Sequence, residues 1–328
     1  MSYRYFRRDS RLDKVTPNDY PRIYLFGDSL TERGFFPQDV GFGWQLQKYY
    51  ADRVEVVNEG EQVTLGMFLS VRFPLGGNST SMGLIWIRQT SRSLRRQFNE
   101  YLMGAIKSRG PPAPLFITIF LGANDACLSL SGAMVPLEEY EEHIRHYLNT
   151  ILDDPATQET KVILISPPPV NVPVPVGEPL LDNPDAAIIL RSVASQSRGH
   201  RTWESKRTYA KKIVEIGKEY EAQASRVAVL DLWYSLTKSV CRIEGTTQDD
   251  AFYHLDIDEM LPGSGMPGAK PFDKGYFTDG LHFGDKAYEI LGRELLDLAL
   301  TKWPELKREN FPRRVRLCQL PDAGRKHS

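Results

Sequence analysis

Five short runs of this chain are apolar at nearly every position: Ile23–Phe26, Val54–Val57, Phe116–Leu121, Val162–Ile165 and Val227–Leu230. A strand with one wet face alternates apolar and polar residues. A run without that alternation is a strand covered on both faces. Amphipathic helical patterns lie between the runs. Glu138–Leu152 sets Tyr140, Ile144, Tyr147, Leu148 and Ile151 at spacings of three and four, which is one face of a helix. Leu84–Ile106, Lys206–Glu221 and Asp285–Leu300 read the same way. Strand and helix in alternation predict a parallel sheet with helices on both sides. Right-handed crossovers then bring the strand C-termini to one rim, where sheets of this class bind ligands.

Two segments place reactive side chains on that rim. Phe26-Gly27-Asp28-Ser29-Leu30 puts a serine directly after the first strand, and Gly122-Ala123-Asn124-Asp125 follows the third. Roughly 250 residues beyond the serine, Thr278-Asp279-Gly280-Leu281-His282 supplies an Asp-x-x-His pair. A serine hydroxyl attacks only when a base takes its proton, and an imidazole that is largely neutral at pH 7 can do so. Asp279 reaches the far nitrogen of His282 if the segment makes a helical turn, where it would fix the tautomer and stabilise the imidazolium. Acyl transfer also needs donors aimed at the developing oxyanion. The Ser29 backbone N–H, the Asn124 amide and a glycine N–H beyond the second strand are candidates. Taken singly, each pattern has a plainer reading. Gly-Asp-Ser after a strand makes a turn or a helix cap, and Asn124 alone is a turn residue.

Together the blocks Gly27-Asp28-Ser29-Leu30, Gly122-Ala123-Asn124-Asp125 and Asp279-Gly280-Leu281-His282 resemble three of the four motif blocks of the SGNH (GDSL-type) hydrolases, in the family's order. The detail is similar to the isoamyl acetate-hydrolysing esterase-like branch, with Pro167-Pro168-Pro169 after the fourth strand and Asp231-Leu232-Trp233 after the fifth. The resemblance spans roughly residues 20–300. It implies a flavodoxin-like three-layer α/β/α sandwich on a central parallel five-stranded sheet. It also implies Ser29 as nucleophile, Asn124 as oxyanion donor and Asp279 and His282 completing a triad. The remaining block departs from the family pattern. Asn58-Glu59-Gly60 begins it, and Gly77-Asn78-Ser79-Thr80 resumes it after the apolar, strand-like stretch 61–76. The resemblance maps the oxyanion glycine to Gly77, with Gly76 as the alternative register.

The expected organisation is an N-terminal extension over 1–19, a hydrolase domain over 20–303 with insertions near 61–76 and 239–277, and a basic C-terminal tail over 304–328. The second insertion reads as a lid over the site or as a disordered excursion. A formal net charge of −1 gives no electrostatic footprint for nucleic acid. Three scattered cysteines make neither a disulfide framework nor a zinc site. No apolar run is long enough to span a bilayer, and the basic start lacks the apolar stretch of a secretory signal. A soluble cytoplasmic protein needing no cofactor or metal is expected, with a small-molecule ester as its partner. His143 and His146, beside Glu141 and Glu142, read as an exposed helix face. The Gly263–Lys270 segment reads as flexible loop, Cys127 as a small buried thiol, and Trp233 and Tyr234 as core. The absence of Gly-x-Ser-x-Gly argues against an α/β-hydrolase elbow.

The sequence thus predicts a serine esterase acting on small or medium acyl esters through an acyl-enzyme. Two alternatives stay open: a lysolipid or acetyl-sugar hydrolase with the same triad, and a non-catalytic scaffold if the interrupted second block disables the oxyanion hole.

Overall fold

A computed structural model describes residues 20–60, 70–74, 80–84, 89–128, 134–172, 201–241, 261–266 and 269–313. The strands are β1 (Arg22–Gly27), β2 (Glu55–Gly60), β3 (Ser70–Pro74), β4 (Thr80–Leu84), β5 (Phe116–Phe120), β6 (Lys161–Ile165) and β7 (Val227–Leu230). The α-helices are α1 (Ser29–Arg33), α2 (Phe42–Tyr49), α3 (Met103–Arg109), α4 (Leu137–Asp153), α5 (Trp203–Gln223), α6 (Leu232–Cys241) and α7 (Asp285–Lys302).

Five strands form one sheet in the order β2-β1-β5-β6-β7, and every neighbouring pair is parallel. Counted within the sheet this is the 2-1-3-4-5 order of the flavodoxin-like fold. The near-continuous apolar runs are explained by what covers them. Ile23 and Leu25 face one core with Phe42 and Leu46 of α2, Leu236 of α6 and Leu291 of α7. Tyr24 and Phe26, one residue out of phase, face a second core with Ile106 of α3, Ile144 of α4 and Ile213 of α5. Strand side chains alternate faces, so two covered faces require apolar residues at consecutive positions. The three-layer α/β/α sandwich expected from the sequence is the observed architecture.

Several details differ from the sequence expectations. Leu84–Ile106 is not one helix. Leu84 ends β4, and helical structure begins only near Arg95, as a π-helical turn over Gln97–Leu102 that leads into α3. Upstream, Thr90 N–H donates to Ser93 Oγ at 2.9 Å and Ser93 N–H to Thr90 Oγ1 at 3.2 Å. That reciprocal pair satisfies the backbone of the turn that precedes the helical segment. From the stretch 61–76, residues 70–74 pair antiparallel with β4 as a separate two-stranded ladder. Phe272 and Tyr276, inside the stretch expected to be an insertion, lie in the α2/α6/α7 core. The start of the 304–328 stretch is docked on the fold, with Leu306 buried and its carbonyl accepting from Tyr50 Oη at 2.7 Å.

The minor motifs divide. Cys127 and Trp233 are buried, whereas Tyr234 is 41% exposed rather than core. His143 is not on an exposed face. It is buried, with Nδ1 3.1 Å from Ser91 Oγ. Its position between Tyr140 and Tyr147 puts it on the apolar stripe of α4. Gly263 is tied by backbone hydrogen bonds to Val172 and Lys270, while residues 267 and 268 of that loop lie outside the described residues.

Candidate active site

Ser29 opens α1 at the C-terminal end of β1, and local chemistry fixes it there. Asp28 is the N-cap, with Oδ1 accepting the Leu30 N–H at 2.9 Å. The plainer reading of Gly-Asp-Ser as a helix cap is therefore correct, and it coexists with the placement of the serine on the rim. Gly27 has no room for a side chain, because a Cβ would lie 2.6 Å from the Phe120 carbonyl oxygen of β5. The turn is held from two further directions. Tyr288 Oη of α7 donates to Leu30 O at 2.8 Å, and Asn58 Nδ2 at the end of β2 donates to Glu32 O at 3.2 Å.

The last-strand rim and the loop before α7 bring His282 to this serine. Ser29 Oγ lies 3.2 Å from His282 Nε2, across 253 residues of sequence. His282 Nδ1 lies 2.7 Å from Asp279 Oδ2. A carboxylate only accepts, so Nδ1 carries the proton and Nε2 presents its lone pair to the serine hydroxyl. The segment does not make the helical turn expected of an Asp-x-x-His. Asp279 Oδ1 accepts the N–H groups of Leu281 at 3.0 Å and His282 at 2.8 Å, a side-chain-closed turn with Gly280 at φ +83°. Burial alone would raise the Asp279 carboxyl. The His282 ring N–H and these two backbone donors outweigh burial and hold it well below the usual carboxylate range.

Asn124 sits in the loop after β5, 7% exposed. Its Nδ2 donates to Gln89 O at 2.9 Å, and its Oδ1 accepts from Arg201 Nη2 at 2.9 Å. One amide hydrogen remains for another acceptor. Gly122, which starts the loop at φ +113°, has the Tyr140 hydroxyl 2.6 Å from where a Cβ would sit. The neighbouring Asp125 is fully buried and accepts from both the N–H and the hydroxyl of Ser91. Gly77 and its alternative Gly76 lie outside the described residues.

Beneath Ser29 and Asn124 is a charged layer that the sequence patterns did not single out. Lys206, on the first turn of α5, is fully buried and donates Nζ to Ala123 O. Burial pulls this lysine down to about 7 and pushes the Asp28 and Asp125 carboxyls up to about 6. The available signal was a lysine on an apolar stripe, since Trp203, Lys206, Ala210, Ile213 and Gly217 share one face of α5. Arg201 had no comparable signal, because it precedes the helix. Among the described residues, no three His, Cys, Asp or Glu side chains gather as a metal site. No described helix is long and apolar enough to cross a membrane.

A family model described as GDSL-like Lipase/Acylhydrolase matches residues 23–295. The chain is 27% identical over 215 residues to the GDSL esterase/lipase At5g45920 of Arabidopsis thaliana, covering 65% of this chain and 70% of that one. It is 26% identical over 298 residues to the isoamyl acetate-hydrolyzing esterase of Saccharomyces cerevisiae, covering 89% of this chain and 92% of the yeast protein. With the bovine isoamyl acetate-hydrolyzing esterase 1 homolog it shares 31% over 160 residues, about half of each chain (47% and 51%). Among solved structures, a catalytic mutant of Axe2, an acetylxylan esterase from Geobacillus stearothermophilus, aligns at TM-score 0.47 and 15% identity. That alignment covers 85% of this chain and 94% of the other.

Proposed function

Because this chain belongs to the GDSL-like lipase and acylhydrolase family and is a carboxylic ester hydrolase, we propose that it cleaves small or medium acyl esters through Ser29, His282 and Asp279. The observation that carries the reading is the continuous chain Ser29 Oγ, His282 Nε2, His282 Nδ1, Asp279 Oδ2, with links of 3.2 and 2.7 Å. Ser29 Oγ attacks the ester carbonyl while its proton passes to His282 Nε2. Asp279 holds the ring in the tautomer that can accept and stabilises the imidazolium. The Ser29 N–H, the remaining Asn124 amide hydrogen and the Gly77 N–H take the tetrahedral oxyanion. His282 then returns its proton to the leaving alcohol, and water repeats the sequence on the acyl-Ser29 ester. The acetate preference of the reading is supported by the yeast relative, an isoamyl acetate-hydrolyzing esterase.

The test is hydrolysis of p-nitrophenyl acetate, butyrate and octanoate by the protein and by Ser29→Ala. Turnover that falls with chain length and is lost in Ser29→Ala is expected. A folded protein with no Ser29-dependent turnover would leave a scaffold role in place of the enzyme.

A further inference from the structure

An asparagine amide can donate to an oxyanion only if its nitrogen, not its oxygen, faces the substrate. The two ends of the amide are nearly equal in shape, so something other than packing must choose between them. Here the choice is forced from both sides. The Gln89 carbonyl can only accept, and it holds Asn124 Nδ2; the Arg201 guanidinium can only donate, and it holds Asn124 Oδ1. Rotating the amide by half a turn would set acceptor against acceptor and donor against donor at once.

Arg201 is itself well placed to do this. It is 7% exposed and directly precedes Thr202, the N-cap of α5. The Thr202 side chain accepts the Ser205 N–H at 3.1 Å, and the Ser205 hydroxyl reaches back to the Thr202 N–H at 3.3 Å. The first turn of the same helix grips the Asn124 loop at two more points. Lys206 Nζ donates to the Ala123 carbonyl, and Ser205 Oγ lies 3.0 Å from the Ala126 carbonyl. Carbonyls on both sides of Asn124 are therefore anchored to α5, and Arg201 anchors its side chain. A cation on the amide oxygen also draws electron density from the nitrogen, which makes the remaining N–H a stronger donor.

We propose that Arg201 is a positioning residue for the oxyanion hole, orienting and polarising the Asn124 amide from the side opposite the substrate. The proposal rests on the esterase reading above, in which Asn124 is an oxyanion donor. Arg201 touches neither substrate nor nucleophile in this account. Its effect is confined to transition-state stabilisation, so it should register in kcat and not in KM.

The experiment is a double-mutant cycle on p-nitrophenyl acetate with wild type, Arg201→Met, Asn124→Ala and the double variant, each checked for folding by circular dichroism. Loss of an oxyanion donor costs about 100- to 1,000-fold in kcat, and losing its orientation should cost part of that, about 10- to 100-fold, with KM within about 3-fold. In the Asn124→Ala background the Arg201 substitution should cost no more than about 3-fold further, since the group it acts through is gone. Arg201→Lys, which keeps the charge but not the planar fork, should lose less than Arg201→Met. It supplies the same cycle if the methionine variant does not fold. Wild-type kcat in a folded Arg201→Met, or losses that multiply in the double variant, would overturn the proposal while leaving the esterase intact. A wild-type protein without Ser29-dependent turnover would remove the esterase reading, and the role of Arg201 with it.

Discussion

Asp279 holds His282 with both carboxylate oxygens: Oδ1 accepts the His282 backbone N–H at 2.8 Å, and Oδ2 accepts its ring N–H at 2.7 Å. The residue that orients the imidazole thus also shapes the backbone carrying it. Asp279→Asn separates the two jobs. Its oxygen can still accept the backbone N–H groups, but its NH2 then faces Nδ1 and favours the tautomer whose Nε2 carries the proton. That ring cannot accept from Ser29. A fall in kcat of about 10⁴-fold is expected with little change in melting temperature, and steady-state kinetics with a thermal melt check both.

Asp28 gives a stability signature at mildly acid pH. Its carboxyl titrates near 6 in the folded chain, raised by burial from 3.8. Between those values the folded state holds more protons than the unfolded one, so stability falls as pH rises through the window. Asp28→Asn keeps a cap acceptor for Leu30 and has nothing to ionise. Its melting temperature should gain on the wild type from about pH 4 to about pH 6 and keep that gain above it. A difference that is flat across the range would show that the buried acid does not titrate there.

Lys206 predicts a slope in the alkaline range. Burial lowers it from 10.5 to about 7, so between these values the unfolded chain binds the extra proton. Stability then rises with pH across that window. Thermal melts from about pH 7 to pH 10 should show wild type gaining on Lys206→Met, which carries no proton to lose. Parallel curves would sink the assignment.

Gly27→Ala probes the seat of the proposed nucleophile. The added methyl meets backbone oxygen of β5, and overpacking of this kind costs about 1–3 kcal/mol. The strain falls two residues before Ser29. Denaturant titration should show the destabilisation, and kcat should drop by more than a misfolded fraction explains.

The sheet was legible because its strands are buried on both faces, which leaves an unbroken apolar run in each. The rim placement of Ser29 and Asn124 was legible because each directly follows an apolar run, whereas Asp279 and His282 were named from the Asp-x-x-His pair and the family resemblance. The conformation joining Asp279 to His282 was not legible. An aspartate side chain can replace a helical turn by accepting the same backbone N–H groups, and sequence spacing is identical for both. His143 was misjudged because polar neighbours masked its place on the apolar stripe of α4. Arg201 and Lys206 were hidden for another reason. Charged side chains at the start of a helix are ordinarily solvated; the apolar stripe of α5 alone hinted otherwise for Lys206, and for Arg201 only Asn124, distant in sequence, shows that it is not.

The 253-residue span between Ser29 and His282 has a consequence for when this chain can act. During synthesis Ser29 emerges before the other four strands of the sheet, as nothing more than a hydroxyl at the start of a short helix. Its base arrives with the segment that leads into α7, after every strand of the sheet has been made. In the triad proposed above, hydrolysis would therefore wait for the segment that leads into α7, a helix whose Tyr288 and Leu291 also complete the core against β1. In that reading, turnover reports whether the segment carrying His282 has reached the one carrying Ser29.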